Sequence, residues 1–285
     1  MKLKGKNILI TGAGRGLGLE LANRCWEEGA NLFLHLGREL DQSWAGFDEK
    51  EGQKQVSSYG NLCISDSPEL IRELYNREFG EINGLVNNAA MQGDIGKFFF
   101  NWNSPTWKEV MQTNFFTPME LIGQFSQNFL MTEGRGKIVN LSGGGATSCR
   151  PNYAAYATSK AALNKLGETL AKEFTGKIDI NSVAPGIMYT GMAKEALVAG
   201  RDKVGDDSYF DICSKVNDME DGENHSAVES SFKDAVDLII FLLSEESDGI
   251  TGKIISAIWD EWKEFPNHVS QLQNSNAYTM RRVVN

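Results

Sequence analysis

The chain has 285 residues, 41% of them apolar and 23% charged, which is material for one large hydrophobic core and unlike a disordered, collagen-like or disulfide-stapled protein. Lys and Arg number 28 against 38 Asp and Glu, and the resulting charge of −10 disfavours nonspecific binding to nucleic acid or to an anionic membrane. Cys25, Cys63, Cys149 and Cys213, like His35, His225 and His268, are scattered without C-x-x-C spacing, which argues against a metal site or disulfide framework and for a reducing, cytoplasmic setting.

From the start, Met1 to Lys6 is basic, but the apolar run that follows, Ile8 to Ile10, is too short for a secretion signal. Short apolar runs then alternate with amphipathic segments. The pattern predicts strands at Asn7–Thr11, Asn31–Leu36, Leu62–Ser65, Gly84–Asn87, Lys137–Leu141, Asp179–Val183 and Gly252–Ser256. It predicts helices at Arg15–Glu28, Pro68–Phe79, Ser104–Met131, Tyr153–Phe174 and Phe232–Leu243. Such alternation is the mark of βαβ units, so the expected class is α/β: a three-layer, doubly wound Rossmann fold with a seven-stranded parallel sheet, in a single domain over 1–285. The run Leu238 to Leu243 falls far short of the roughly 20 residues of a membrane span. Two regions interrupt the alternation. Residues 190–231 hold ten acids against four bases, a net of −6, and are expected to form a loop at a substrate pocket with its acids on a solvated face. Residues 257–285 carry Trp259, Trp262, Phe265 and Tyr278, a tail expected to be packed down.

After the first strand the chain reads Thr11-Gly12-Ala13-Gly14-Arg15-Gly16-Leu17-Gly18, a G-x-x-x-G-x-G spacing. Glycines there permit a tight turn and let a pyrophosphate approach the backbone at a helix N-terminus. Asn87-Asn88-Ala89-Ala90 closes the fourth strand, and Tyr156 and Lys160 stand four apart on one helix face. An ammonium beside a phenol stabilises the phenolate and lowers a pKa that is otherwise about 10. A glycine-rich turn or a Tyr-x-x-x-Lys pair also occurs without any ligand; the specific signal is the succession of all three motifs.

This succession, over about residues 6 to 256, resembles the short-chain dehydrogenase/reductase family, in the short single-domain branch that includes 3-oxoacyl-carrier-protein reductases. The resemblance implies an NAD(P)-dependent oxidoreductase that interconverts a carbonyl and an alcohol by hydride transfer. It implies a site of Asn114, Ser142, Tyr156 and Lys160. Tyr156 exchanges the proton, Lys160 tunes it and binds the nicotinamide ribose, Ser142 fixes the substrate oxygen and Asn114 holds a relay water. By the same resemblance Gly12, Arg15, Gly16, Leu17 and Gly18 surround the cofactor phosphates, Asn88 and Ala89 lie by the adenosine ribose, and Pro185, Gly186, Met188 and Thr190 border the nicotinamide. Gly144, Cys149, Tyr153 and Met192 line the substrate pocket. Where the family often carries an adenine-contacting aspartate, the chain reads Cys63-Ile64-Ser65-Asp66: either backbone groups of Cys63 and Ile64 serve, or the third strand lies a few residues away.

NAD preference generally needs an acid at the end of the second strand, and none precedes Glu39. Arg15 and Arg38 suit a 2′-phosphate instead, which predicts NADP, with NAD not excluded. The expected partner is a small molecule. Trp259-Asp260-Glu261-Trp262 and Arg281-Arg282 resemble tails of family members from surface-carbohydrate pathways, which points to a sugar or sugar derivative. The alternatives are a carrier-protein ketoester and a non-catalytic cofactor-binding regulator. The family's usual assembly implies a homodimer or homotetramer built on the two long helices.

Overall fold

In the computed structural model, residues 1–37, 46–48, 50–217 and 225–282 are described; Arg38 and the acids Asp218, Glu220, Asp221 and Glu223 lie outside them. β1 (Asn7–Thr11) runs into α1 (Gly16–Glu27), followed by β2 (Asn31–Leu36), β3 (Gln55–Tyr59), α2 (Ser67–Glu78) and β4 (Gly84–Asn87). Next come α3 (Phe98–Asn101), α4 (Thr106–Met111), a π-helical turn (Gln112–Phe116), α5 (Thr117–Met131) and β5 (Gly136–Leu141). The second half holds α6 (Ala154–Glu173), β6 (Ile178–Ala184), α7 (Gly191–Ala199), α8 (Arg201–Val204), α9 (Asp206–Asn217), α10 (His225–Leu243), β7 (Ile254–Ser256) and, in the tail, α11 (Val269–Gln273).

The seven strands make one parallel sheet in the order β3-β2-β1-β4-β5-β6-β7. Helices cover both faces, so the inner strands read as nearly unbroken apolar runs. On one face Leu17, Leu21 and Trp26 of α1 meet Val236, Ile239 and Leu243 of α10. On the other, Tyr75 and Phe79 of α2 meet Leu121, Phe125 and Phe129 of α5 over Leu9, Phe33 and Ile138. The strand order reverses between β1 and β4, and a crevice at the carboxyl ends of strands at such a switch point is where ligands bind in open α/β sheets.

Four expectations change. The third strand is Gln55–Tyr59, not Leu62–Ser65, paired with β2 through Phe33 and Val56. As an edge strand it is only half covered, and its polar residues Gln55, Ser57 and Ser58 hid it from an apolar-run reading. Leu62 is instead a buried plug whose carbonyl accepts from Thr117 Oγ1 at 2.9 Å. The expected helix Ser104–Met131 is divided by the π turn, and the helix expected from Phe232 begins at His225. The expected loop over 190–231 is helical in α7, α8, α9 and the first turns of α10, and Asp202, Asp206, Asp207 and Asp211 are exposed.

In the tail, Trp262 and Phe265 are buried, with Trp262 5.5 Å from the Phe241 ring and Phe265 4.9 Å from Tyr278, whereas Trp259 is exposed. Among the described residues no helix is long and apolar enough to cross a membrane.

Candidate active site

The glycine loop is fastened to the end of β4. Thr11 Oγ1 accepts from the amides of Asn88 and Ala89, both at 3.1 Å, and Asn88 Nδ2 donates to the carbonyls of Thr11 at 2.9 Å and Gly12 at 3.1 Å. A methyl on Gly18 would stand 2.2 Å from the Gly12 carbonyl oxygen, so only glycine lets the helix start that close to the loop. Gly16, at φ +54°, has nothing within 4 Å of where a methyl would project. Arg15 precedes α1 in extended conformation and gives no side-chain cap, which leaves the first-turn N–H groups without one. A glycine-lined mouth over an uncapped helix N-terminus suits a dinucleotide pyrophosphate. Leu17 turns away into the core, and Arg15 Nη1 lies 3.7 Å from the methyl position of Gly191 at the start of α7.

Where adenine contacts were expected, the third strand lies a few residues earlier than read. β3 ends at Tyr59, so Gly60 and Asn61 are the first residues past it. Asn61 Oδ1 accepts from the Cys63 amide at 3.1 Å; Cys63 Sγ lies 3.1 Å from Thr113 Oγ1, and Ile64 is exposed. At the opposite end Pro185 is buried, and Gly186 takes φ +85° with a methyl position 2.8 Å from Ile258. Met188 packs against the core, its carbonyl accepting from the Thr190 amide at 2.9 Å, and Thr190 Oγ1 caps α7 by accepting from the Ala193 amide at 3.4 Å.

α6 brings Tyr156 and Lys160 together beneath α7 to α9. Lys160 is fully buried; its Nζ donates to the Leu141 carbonyl at 2.6 Å and lies 5.9 Å from the Tyr156 ring centroid. Burial lowers its pKa to about 7. Burial also raises the Tyr156 phenol, and the charge opposing that rise is Arg150, not the expected Lys160. Asn114 sits in the π turn, a distortion that often marks functional sites. Its Oδ1 accepts from the Met91 amide at 2.9 Å, and its Nδ2 donates to the Met91 carbonyl at 2.8 Å and to Ser159 Oγ at 3.0 Å. Ser159 Oγ in turn donates to the Tyr156 carbonyl at 2.7 Å, tying Asn114 to the backbone of Tyr156.

Among the described residues no hydrogen bond joins Ser142 to Tyr156. The Ser142 hydroxyl is buried and accepts from Asn164 Nδ2 at 3.0 Å. The residue that faces the phenol is Gly143, where a methyl would stand 2.2 Å from Tyr156 Oη. Gly144 and Gly145 lie against Arg150, whose guanidinium carbon is 3.7 Å from the Tyr153 ring centroid. Tyr153 is buried and its hydroxyl has no hydrogen bond of good geometry. The Met192 carbonyl accepts from Gln92 Nε2 at 2.9 Å, and Cys149 is exposed. A cleft of about 720 Å³ lies at the Gln92–Met192 contact, lined by Gln92, Ile95 and Phe100 and by the charged Asp94, Glu195 and Asp202.

Gly143, Arg150, Ser159 and Asn164 escaped the sequence reading. One signal was available for Arg150: from Glu133 to Glu168 the chain has no other acid but carries Arg135, Lys137, Arg150, Lys160 and Lys165.

Residues 6–199 match the family profile described as short chain dehydrogenase. The chain is 30% identical over 258 residues to gluconate 5-dehydrogenase of Gluconobacter oxydans, covering 89% of this chain and 93% of that protein. It is 27% identical over 254 residues to a 3-oxoacyl-[acyl-carrier-protein] reductase of Staphylococcus epidermidis, covering 88% and 96%. Among solved structures, one from Shigella flexneri assigned as a short chain dehydrogenase and complexed with NADP superposes with a TM-score of 0.71 at 24% identity, over 90% of this chain and 98% of its own.

Proposed function

The chain belongs to the short-chain dehydrogenase/reductase family of oxidoreductases, and from that premise we propose that it interconverts a secondary alcohol and a carbonyl on a sugar or sugar derivative, with NADP as cofactor. The observation that carries this reading is the buried Tyr156 phenol, one helical turn from buried Lys160, below a glycine loop shaped for a pyrophosphate. The NADP bound to the Shigella structure and the Arg15 side chain at the loop support NADP over NAD; the Gluconobacter relative supports a sugar-derived substrate.

A bound NADP supplies or takes up the hydride. The chain's own groups do the rest. Tyr156 moves the proton to or from the substrate oxygen, in a water-poor setting where that transfer is not lost to solvent. Lys160, anchored on the Leu141 carbonyl, holds one wall of the site at β5. Asn114 fixes the segment after β4 through both backbone groups of Met91, and through Ser159 it fixes the turn that carries Tyr156. Ser142 acts as a positioning residue, joining β5 to α6 through Asn164.

The test is Tyr156→Phe assayed with D-gluconate and NADP⁺ by absorbance of the reduced cofactor. Turnover should fall by about 10²- to 10⁴-fold, while NADPH still binds, as followed by its fluorescence. A variant that keeps most of its turnover would refute the proton role. The ratio of kcat/KM with NADP⁺ to that with NAD⁺ decides the cofactor, and a ratio below one overturns NADP.

A further inference from the structure

The loop that joins β5 to the catalytic helix replaces side chains with space and then fills that space with one cation. Gly143, Gly144 and Gly145 follow one another at the end of β5. At Gly143 this leaves no side chain between the strand and Tyr156 Oη. At Gly144 and Gly145 the neighbour is Arg150: Nη1 lies 3.6 Å from the first methyl position and Cβ lies 2.7 Å from the second. Any larger residue at Gly145 would push the arginine off the loop.

Arg150 lies over the Tyr153 ring, with its guanidinium carbon 3.7 Å from that ring centroid and 5.9 Å from the Tyr156 centroid. Stacking on a ring face uses the flat side of a guanidinium and leaves its in-plane N–H donors for other partners. Among the described residues no carboxylate pairs with it. Glu168 is engaged with Lys165 and Arg281, Glu195 with Gln92, and Asp206 with Arg201. The second observation is the Tyr153 hydroxyl, buried on the ring that carries the guanidinium, with no hydrogen bond of good geometry and only the Arg150 charge beside it. A buried hydroxyl left unsatisfied costs about 1–3 kcal/mol, so a partner is expected in the working complex. A carboxylate answers both requirements, taking two parallel N–H donors from an arginine and one O–H from a phenol.

We infer that Arg150 and the Tyr153 hydroxyl form a receptor for a substrate carboxylate beside Tyr156, so that the enzyme acts on a hydroxy or oxo acid and not on a neutral sugar. The inference rests on the redox reading of Tyr156 and adds its substrate class. Asp206, Asp207 and Asp211 are exposed on α9, while Asp202 lines the neighbouring cleft with Asp94 and Glu195, offset there by Lys97 and Lys203.

The test compares D-gluconate with sorbitol, which has the same hydroxylated chain with an alcohol in place of the carboxylate, and adds D-glycerate as a shorter acid. Wild-type enzyme with NADP⁺ should favour gluconate or glycerate over sorbitol in kcat/KM. Arg150→Met, which keeps side-chain length and loses the charge, should reduce that preference by about 10- to 100-fold, the range of hydrogen bonds to a charged group. Arg150→Lys should recover part of it. Binding is read separately, by calorimetric titration of NADPH-saturated protein with each compound. Binding of either acid that is lost in Arg150→Met, without any turnover, upholds the receptor and defeats the redox reading. Turnover without preference for an acid, an equal fall for acid and sorbitol in Arg150→Met, or no Arg150-dependent binding of either acid overturns the receptor.

Discussion

The chain places glycines after β1 and again after β5, and the two runs meet different kinds of neighbour. In the first, the nearest atom that excludes a side chain belongs to the backbone at both Gly18 and Gly12: the Gly12 carbonyl beneath Gly18, and Ala89 Cα at 2.9 Å from the methyl position of Gly12. In the second, side-chain atoms come nearest: Tyr156 Oη against Gly143, the end of the Arg150 chain in ordinary contact at Gly144, and Cβ of Arg150 and of Ala157 against Gly145. Backbone cannot step aside without unmaking the loop, whereas a side chain can. The first run is therefore a rigid cradle and the second an adjustable floor, which is how one fold can keep a cofactor geometry while changing what lies beside the phenol.

The sharpest way to break the comparison is Gly18→Ala. With a methyl 2.2 Å from a carbonyl oxygen the loop must open, and the expected cost is about 3 kcal/mol of stability with more than 100-fold weaker NADPH binding, read by denaturant melts and cofactor fluorescence. Next comes pH. His35, whose carbonyl accepts from the Ala13 amide of the first run, is buried and held neutral, its pKa lowered by burial to about 4 from the usual 6.5. The unfolded chain binds this proton more readily. Stability is thus complete above about pH 6.5 and falls toward pH 4, by about 2 to 3 kcal/mol, and His35→Asn should flatten that limb of the stability profile. Gly143→Ala should act on the chemistry alone: moving the phenol lowers kcat about tenfold and leaves NADPH affinity within about twofold. An equal loss of cofactor binding there would mean that the two runs are not independent. The smallest effect belongs to Gly16→Ala, where only the positive φ opposes the methyl, about 1 kcal/mol.

The same contrast explains what could be read from the sequence. The first glycine run was legible because its spacing is dictated by backbone geometry, which any sequence must satisfy in the same way. β1, β2 and β4 were legible because both of their faces are buried. β3 was not, because an edge strand with polar alternation has no apolar run to show. The break in Ser104–Met131 was hidden because a five-residue π turn shifts the helical phase without any proline or glycine inside it. Ser142 was chosen for its hydroxyl, and the structure places the phenol one residue further on, at Gly143, a residue whose only signal is what it lacks. Arg150 gains its meaning from a ring three residues away and from absent carboxylates, neither of which periodicity reports.

Glu168 lies two helical turns beyond Lys160 on α6, and its carboxylate, 5% exposed, accepts from the Met280 amide and from Arg281. Lys253 adds donations to the carbonyls of Ser275 and Ala277 at 3.1 and 3.0 Å. The last described turn of the polypeptide is in this way buckled onto the rod that bears the phenol. Trimming by a carboxypeptidase as far as Met280, or the drag of a fusion partner joined there, would be felt as slack in the reactive tyrosine and not only as a ragged end.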